Sequence, residues 1–189
     1  MKIVFVGNGL YRPDNYPTPA GGGSVQTWGI AKELAKRGHE VCIIRRSNIK
    51  EIICDDVRLM GIDFYGIDSL RISFYSYIFY MGTYPSKIYF SNKSLDLIHK
   101  NDPQIICLID AFTGFFPSFL EKLKVFIMHV PDALDFFKPY SVSAKKLNAI
   151  NFHLKKIVQS KVMHNVDKII VLNKYIENYI RKRDRKSVV

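Results

Sequence analysis

Gly21-Gly22-Gly23-Ser24-Val25-Gln26-Thr27-Trp28-Gly29-Ile30-Ala31-Lys32-Glu33-Leu34-Ala35-Lys36-Arg37-Gly38-His39-Glu40-Val41 is the run that decides the fold. It opens on three glycines, which add no bulk and admit backbone angles other residues avoid. Ser24 stands where an N-cap would, its hydroxyl suited to accept from an amide of the first turn. Val25, Trp28, Ala31, Leu34 and Ala35 then recur at helical spacing. Gly38 suits the position just past a helix end, and Val41 to Ile44 begins a strand. Upstream, Ile3 to Val6 is a short apolar run bounded by Gly7 and Gly9, the pattern of a buried strand. Pro13, Pro17 and Pro19 forbid regular structure between that strand and the glycines. A strand, a glycine loop and a helix start, in that order, make a place where backbone N–H groups meet an anion, typically phosphate. The same residues also fit a plain glycine-rich turn at the edge of an α/β domain. The dinucleotide fingerprint is not met: Gly7-Asn8-Gly9 begins it, but Arg12 occupies the place of the third glycine.

Downstream, apolar runs and helical periods alternate. Asp55-Asp56 reads as an exposed turn, and Val57 to Phe64 predicts a third strand weakened by Gly61. Asp68 to Met81 crowds together Phe74, Tyr75, Tyr77, Phe79 and Tyr80, either as core or as a surface facing lipid or acceptor. Ser86 to Lys100 predicts a helix with Ile88, Leu95 and Ile98 on one face, ended by Asn101-Asp102-Pro103. Gln104 to Ile109 and Val125 to Met128 are apolar runs of the kind that parallel strands show when covered on both faces. Ala144 to His164 predicts a long amphipathic helix, made basic by Lys145, Lys146, Lys155, Lys156 and Lys161. Lys168 to Leu172 follows as a sixth strand and Asn173 to Lys182 as a last helix, before a basic tail at Arg183-Asp184-Arg185-Lys186. The alternation predicts an α/β fold: a doubly wound, mainly parallel sheet in one domain spanning residues 1–189.

A chain of 189 residues is enough for one good core. Lys and Arg number 28 against 17 Asp and Glu, a formal net charge of +11. That balance favours anionic partners such as phosphorylated substrates or anionic lipid, or else is a solvated basic surface. No nucleic-acid motif accompanies the charge, so nucleic acid is not expected as a partner. Cys42, Cys54 and Cys107 are far apart and suggest neither a disulfide framework nor a metal cluster. Cys42 and Cys107 fall inside strand patterns, where the thiol acts as a small hydrophobe. With no signal-peptide pattern and no apolar run of spanning length, the expected setting is cytoplasmic.

The opening run resembles the start of the glycosyltransferase group 1, subfamily 4-like, N-terminal domain. The resemblance rests on the glycine loop, the Leu34-Ala35 pair of the helix and Arg37-Gly38-His39-Glu40-Val41, all in register. Pro103-Gln104-Ile105-Ile106 is similar to a later family segment, with Gln104 where the family has Asp. The resemblance covers nearly the whole chain and implies one Rossmann-like domain of a GT-B enzyme, the acceptor-side half. It further implies retaining transfer of a sugar from a nucleoside-diphosphate sugar to a hydroxyl of a glycan or lipid, with no cofactor and no metal. Gly22, Gly23 and Ser24 would then face the donor phosphate or sugar. His129, just after the fifth predicted strand, would hydrogen-bond the transferred sugar. The donor-binding half of that architecture carries a pair of glutamates with seven residues in the gap, and no two of Glu33, Glu40, Glu51, Glu121 and Glu177 have that spacing. The chain is therefore expected to need a C-terminal donor-binding domain or a partner chain.

Ligands of open α/β sheets sit beyond the carboxyl ends of the strands. Asp110, His129 and Asn173 fall there, and Asp132 lies in the loop that follows His129. Asp110 and Asp132 are carboxylates that could position or deprotonate an acceptor hydroxyl, or equally cap a helix. The resulting expectation puts His129 and Asp110 at the chemistry and Asp132 and Asn173 at the acceptor. The alternative is a non-catalytic module of the same fold, held by its basic surface at an anionic membrane or within a split transferase.

Overall fold

Ile3, Val4, Phe5 and Val6 are each at most 3% exposed. A strand reaches such burial when both faces are covered and both edges are paired. These residues form β1 (Lys2–Val6), the central strand of a seven-stranded sheet. The computed structural model describes residues 1–7, 22–63, 84–128, 142–171 and 174–183. After β1 come α1 (Gly22–Lys36), β2 (Glu40–Arg46), β3 (Glu51–Cys54) and β4 (Val57–Ile62). Then follow α2 (Tyr84–Asn101), β5 (Ile105–Leu108), a 3-10 turn at Pro117–Phe119, β6 (Leu123–Met128), α3 (Val142–Asn165), β7 (Lys168–Val171) and α4 (Lys174–Arg183).

The spatial order is β3-β4-β2-β1-β5-β6-β7, and every pairing is parallel except that of β3 with β4. With β3 set aside, the strands lie in the doubly wound order, which reverses between β1 and β5. The alternation of side chains along each strand separates two cores. Ile3, Phe5, Val41, Ile43, Val57 and Leu59 face Trp28 and Ala31 of α1. Val4, Val6, Ile44, Met60, Ile106, Leu108 and Phe126 face Phe90 and Ile98 of α2, Val162 and Met163 of α3, and Ile180 of α4. Each fully buried Ile, Leu or Phe contributes ~1.5–3 kcal/mol of transfer free energy, so the two cores dominate the packing.

The end of α1 follows its sequence closely. Gly38 has φ 80°. Its N–H donates to the Ala35 carbonyl at 2.8 Å, and the His39 N–H donates to that of Leu34 at 3.2 Å. This pair of bonds is the Schellman arrangement, and it satisfies two of the helix's terminal carbonyls. The start of α1 differs from expectation. The helix begins at Gly22, so Ser24 lies inside the first turn and is buried, where the sequence reading had it as the N-cap. Packing explains the shift: Trp28 and Ala31 anchor the helix on the sheet, and the Thr27 hydroxyl donates to the Gly23 carbonyl at 2.9 Å. That support overrides the low helix propensity of the two glycines.

A second difference is β3, which the sequence reading did not predict. It pairs antiparallel with β4 across a two-residue turn at Asp55-Asp56, whose φ values of 48° and 61° are both positive. Such turns match the twist of a hairpin and usually carry Asn-Gly or Asp-Gly, so Asp-Asp gives a weaker signal. The third predicted strand ends at Ile62, and Phe64 lies outside the described residues. So do the proline loop before α1, the aromatic run from Asp68 to Met81 and the tail from Asp184.

Burial also settles thiol chemistry. Cys42 and Cys107 are buried, and burial pushes each thiol up to about 12, the nearby Arg58 pulling the other way at Cys42. Cys54 is partly exposed. Thiolate is the reactive form, so the native chain at pH 8 is expected to give one fast-reacting thiol with a disulfide reagent and all three after denaturation. Two or three fast thiols in the native chain would contradict the packing of β2 and β5.

Candidate functional site

A helix that joins two parallel strands must start at the carboxyl edge of the sheet and run back toward the amino edge. Three helices here do so: α1 between β1 and β2, α2 between β4 and β5, and α3 between β6 and β7. All three therefore open at the carboxyl edge, and the strand order reverses there between β1 and β5, the place where open α/β sheets bind ligands. The carboxyl end of β1 is held there between those of β2 and β5. The Gly7 N–H donates to the Ile44 carbonyl at 3.2 Å, and the Ile109 N–H donates to that of Val6 at 3.2 Å.

Gly22, Gly23 and Ser24 form the first turn of α1. The first four amides of a helix lack intrahelical acceptors, and the aligned peptides place ~0.5 of a positive charge at that end. No acidic side chain occupies this turn, so no carboxylate within it competes with an incoming anion. Gly22 and Gly23 also leave the approach to those amides free of side-chain bulk.

Asp110 lies two residues past the end of β5. Its Oδ1 accepts from the N–H of Phe112 at 2.8 Å and of Thr113 at 3.2 Å, which caps the turn that follows. Its Oδ2 accepts from Lys87 Nζ at 2.5 Å. Lys87 belongs to the first turn of α2 and also sits 5.8 Å from the centre of the Phe112 ring. The two side chains are 22% and 24% exposed, a partly desolvated pair in which a charge-assisted hydrogen bond is stronger than at the surface. The Asp110 carboxylate is thus engaged by three donors, the geometry of the capping alternative.

Two residues at this edge were missed by the sequence reading. Lys87 carries no local signal, because its partner is 23 residues away in the chain. Arg45, near the carboxyl end of β2, is fully buried on the α1 side of the sheet, the side that Val41 and Ile43 also face. The charged pair Arg45-Arg46 directly after an apolar run is the feature that could have marked it. His129, Asp132 and Asn173 lie outside the described residues. Among the described residues no cluster of His, Cys, Asp and Glu is arranged to hold a metal ion, and no helix is long and apolar enough to cross a membrane.

No curated protein matches the chain. Two solved structures of sucrose-phosphate synthase from Thermosynechococcus elongatus share its fold. The first has a TM-score of 0.67 at 14% identity, over 100% of this chain and 47% of that one. The second has a TM-score of 0.60 at 12% identity, over 100% of this chain and 86% of that one. The chain thus spans about half of the first structure. The profile of Glycosyltransferase Family 4 matches residues 20–189, from the glycine loop through the last strand and helix. The glycine-opened helix, the doubly wound sheet and this match over most of the sequence lead to one conclusion: the chain belongs to glycosyltransferase family 4.

Proposed function

We infer that residues 1–189 are the acceptor-side half of a GT-B enzyme that transfers a sugar, with retention, from a nucleoside-diphosphate sugar to a hydroxyl of a glycan or lipid. The observation that supports this reading is the acid-free N-terminus of α1 at the β1–β5 switch point, opened by Gly22 and Gly23. In the transfer, the acceptor oxygen bonds to the anomeric carbon and the bond from that carbon to the diphosphate breaks. The diphosphate leaves with the electron pair, and the hydroxyl proton passes to it or to a base. Amides of the first turn of α1 would offset charge on the diphosphate or fix the sugar. His129 would hydrogen-bond the sugar, Asp132 and Asn173 the acceptor, and Asp110 would act through the groups it holds. The donor-binding half would come from a further domain or a partner chain, and the nucleotide sugar enters as substrate, with no metal or cofactor in the scheme. The setting would be cytoplasmic.

The test is release of free nucleoside diphosphate from a panel of nucleotide sugars and hydroxyl acceptors, with this chain and its donor-binding half together. Release that depends on both halves and on an acceptor is expected. No release across the panel would sink the reading.

A second reading is favoured by α3, whose exposed residues include Lys156, Lys161 and, at 59% exposed, Ile157. Cationic side chains flanking an exposed apolar one suit an anionic membrane surface. Co-sedimentation with phosphatidylglycerol vesicles is expected at low salt and lost at high salt. Absence of binding at low salt removes this role.

A further inference from the structure

We propose that β3 is a self-association edge: two copies of the chain pair their β3 strands antiparallel about a two-fold axis, which joins their sheets into one. This goes beyond the transferase reading and does not depend on it.

The edge is open, and the hydrogen-bond pattern says which groups it offers. Among the described residues β3 ends the sheet and pairs with β4 alone. Residues opposite each other in an antiparallel pair alternate between bonded and non-bonded pairs. The two-residue turn at Asp55-Asp56, with both φ values positive, closes on the bonded pair of Cys54 and Val57. Ile52 with Leu59 is the next bonded pair, and Lys50 with Gly61 follows. The Gly61 N–H indeed donates to the Lys50 carbonyl at 2.9 Å. The N–H and C=O groups of Glu51 and Ile53 therefore point away from β4, out of the edge of the sheet. The side chains are open as well: Ile53 is 70% exposed and Ile52 39%. Natural edge strands are blunted by lysine, proline or a bulge, and Glu51–Cys54 has none of these.

Charge and register select a second copy as the occupant. The exposed Ile157 of α3 lies beside Lys156 and Lys161, so two copies meeting there would set cations against cations in a chain of net charge +11. Around β3 the charges are mixed. Lys50 accompanies Glu51, Asp55 and Asp56, and Asp55 is held by Lys32 at 3.5 Å. One register suits this pattern. It sets Ile52 opposite Ile52 of the second copy on the two-fold axis, Glu51 opposite Ile53, and Lys50 opposite Cys54. Glu51 and Ile53 of each copy then exchange both ladder bonds with the other copy. The two Ile52 side chains meet on the α1 face of the sheet, since Ile52 pairs with Leu59 of that core. Lys50 stands diagonal to Asp56 of the other copy, and no like charges stand directly opposite. A shift of two residues opposes Glu51 to Glu51 or to Asp55, and a shift of one turns the bonding groups away from each other. A strand of four residues a side makes less than a standard interface of ~1,200 Å², so the pairing is weak and reversible.

Sedimentation equilibrium of the chain from ~10 µM to ~1 mM reads the association. A monomer–dimer equilibrium is expected, strengthened by salt, because salt screens the repulsion between two basic copies. Ile53→Lys is expected to weaken the dimer at least tenfold and to leave the melting temperature unchanged, since so exposed a side chain supports little of the fold. Cysteine cross-linking with oxidised glutathione, in a Cys54→Ser background, reads the register. Ile52→Cys is expected to link two copies across the axis, whereas Ile53→Cys stands diagonal to its counterpart, too far for a disulfide. A chain that stays monomeric throughout would overturn the proposal and leave the edge to a strand of another protein. A dimer that survives Ile53→Lys, or that salt dissolves, would place the interface elsewhere and overturn it too. Linkage through Ile53→Cys, or through Cys54 in the wild-type chain, would refute the register. Should Ile52→Cys not fold, the sedimentation of Ile53→Lys decides alone. The transferase reading fails separately, in the diphosphate-release assay, which does not depend on self-association.

Discussion

Gly23→Val, in the enzyme complete with its donor-binding half, is expected to lower kcat/KM for transfer by ~100-fold or more, because a displacement of even one ångström at the reacting centre costs that much. Gly23 is the second residue of α1, in the turn whose amides have no intrahelical acceptor. A valine there sets two methyl groups beside the amides that the proposed reading gives to the donor. The fold should not suffer. Valine has a better helix propensity than glycine by a few tenths of a kcal/mol (about 0.3), and the Gly23 carbonyl that accepts from Thr27 is retained. The melting temperature by circular dichroism is therefore expected to stay at the wild-type value or rise slightly. Gly23→Ala, with one methyl, should fall between. Wild-type transfer by the valine variant would remove the first turn of α1 from the donor site and leave the glycines as a plain turn.

The same glycines mark how far the sequence could be read. β1, β5 and β6 were legible because parallel strands buried on both faces leave near-continuous apolar runs. The body of α1 was legible from its period and its end from Gly38, whose φ of 80° meets the expected need. Its start was not, because the packing of Trp28 and Ala31 on the sheet and the Thr27 back-bond to Gly23 decide it, and neither shows in the pattern of three glycines and a serine. β3 escaped because four residues are too few to display an alternation, and its Asp-Asp turn departs from the usual hairpin pair. At the candidate site, Asp110 could be named from its place past a strand end, and Gly22 and Gly23 from the glycine loop and the family resemblance. Lys87 could not: it sits in an ordinary helical pattern and acquires meaning when the fold brings it to Asp110. Arg45 is similar, since a strand-end arginine usually reaches solvent and this one is buried.

Gly61→Ala is expected to destabilise the chain by about 3 kcal/mol in urea unfolding, the upper range of overpacking changes. The sequence shows Gly61 as a weakness in a strand, but the structure requires it there. A Cβ at this position would sit 2.0 Å from the Ile49 carbonyl oxygen and 2.8 Å from that of Ser47. Both are backbone atoms, so no side-chain rotation relieves the contact. The backbone has little room to retreat. Gly61 donates its N–H to the Lys50 carbonyl at 2.9 Å, and Ser47 donates its N–H to the Ile62 carbonyl at 3.2 Å. The Ser47 hydroxyl accepts from the Ile49 N–H at 3.0 Å. Moving residues 47–50 aside would strain or break these bonds, and it would disturb the strands beside them. Gly61 pairs with Arg45 in β2, and its neighbour Met60 pairs with Glu51 in β3. Gly38→Ala provides the comparison. Its φ of 80° is unfavourable for alanine, but no atom lies within 4 Å of the added Cβ. Backbone strain alone should then cost about 1 kcal/mol. The two variants separate close approach from backbone conformation, and equal losses would mean that residues 47–50 do not lie against β4 as described. A larger loss at Gly61 would show that the short loop after β2 is packed as tightly as the core, which fixes the strand end carrying Arg45 beside the crevice.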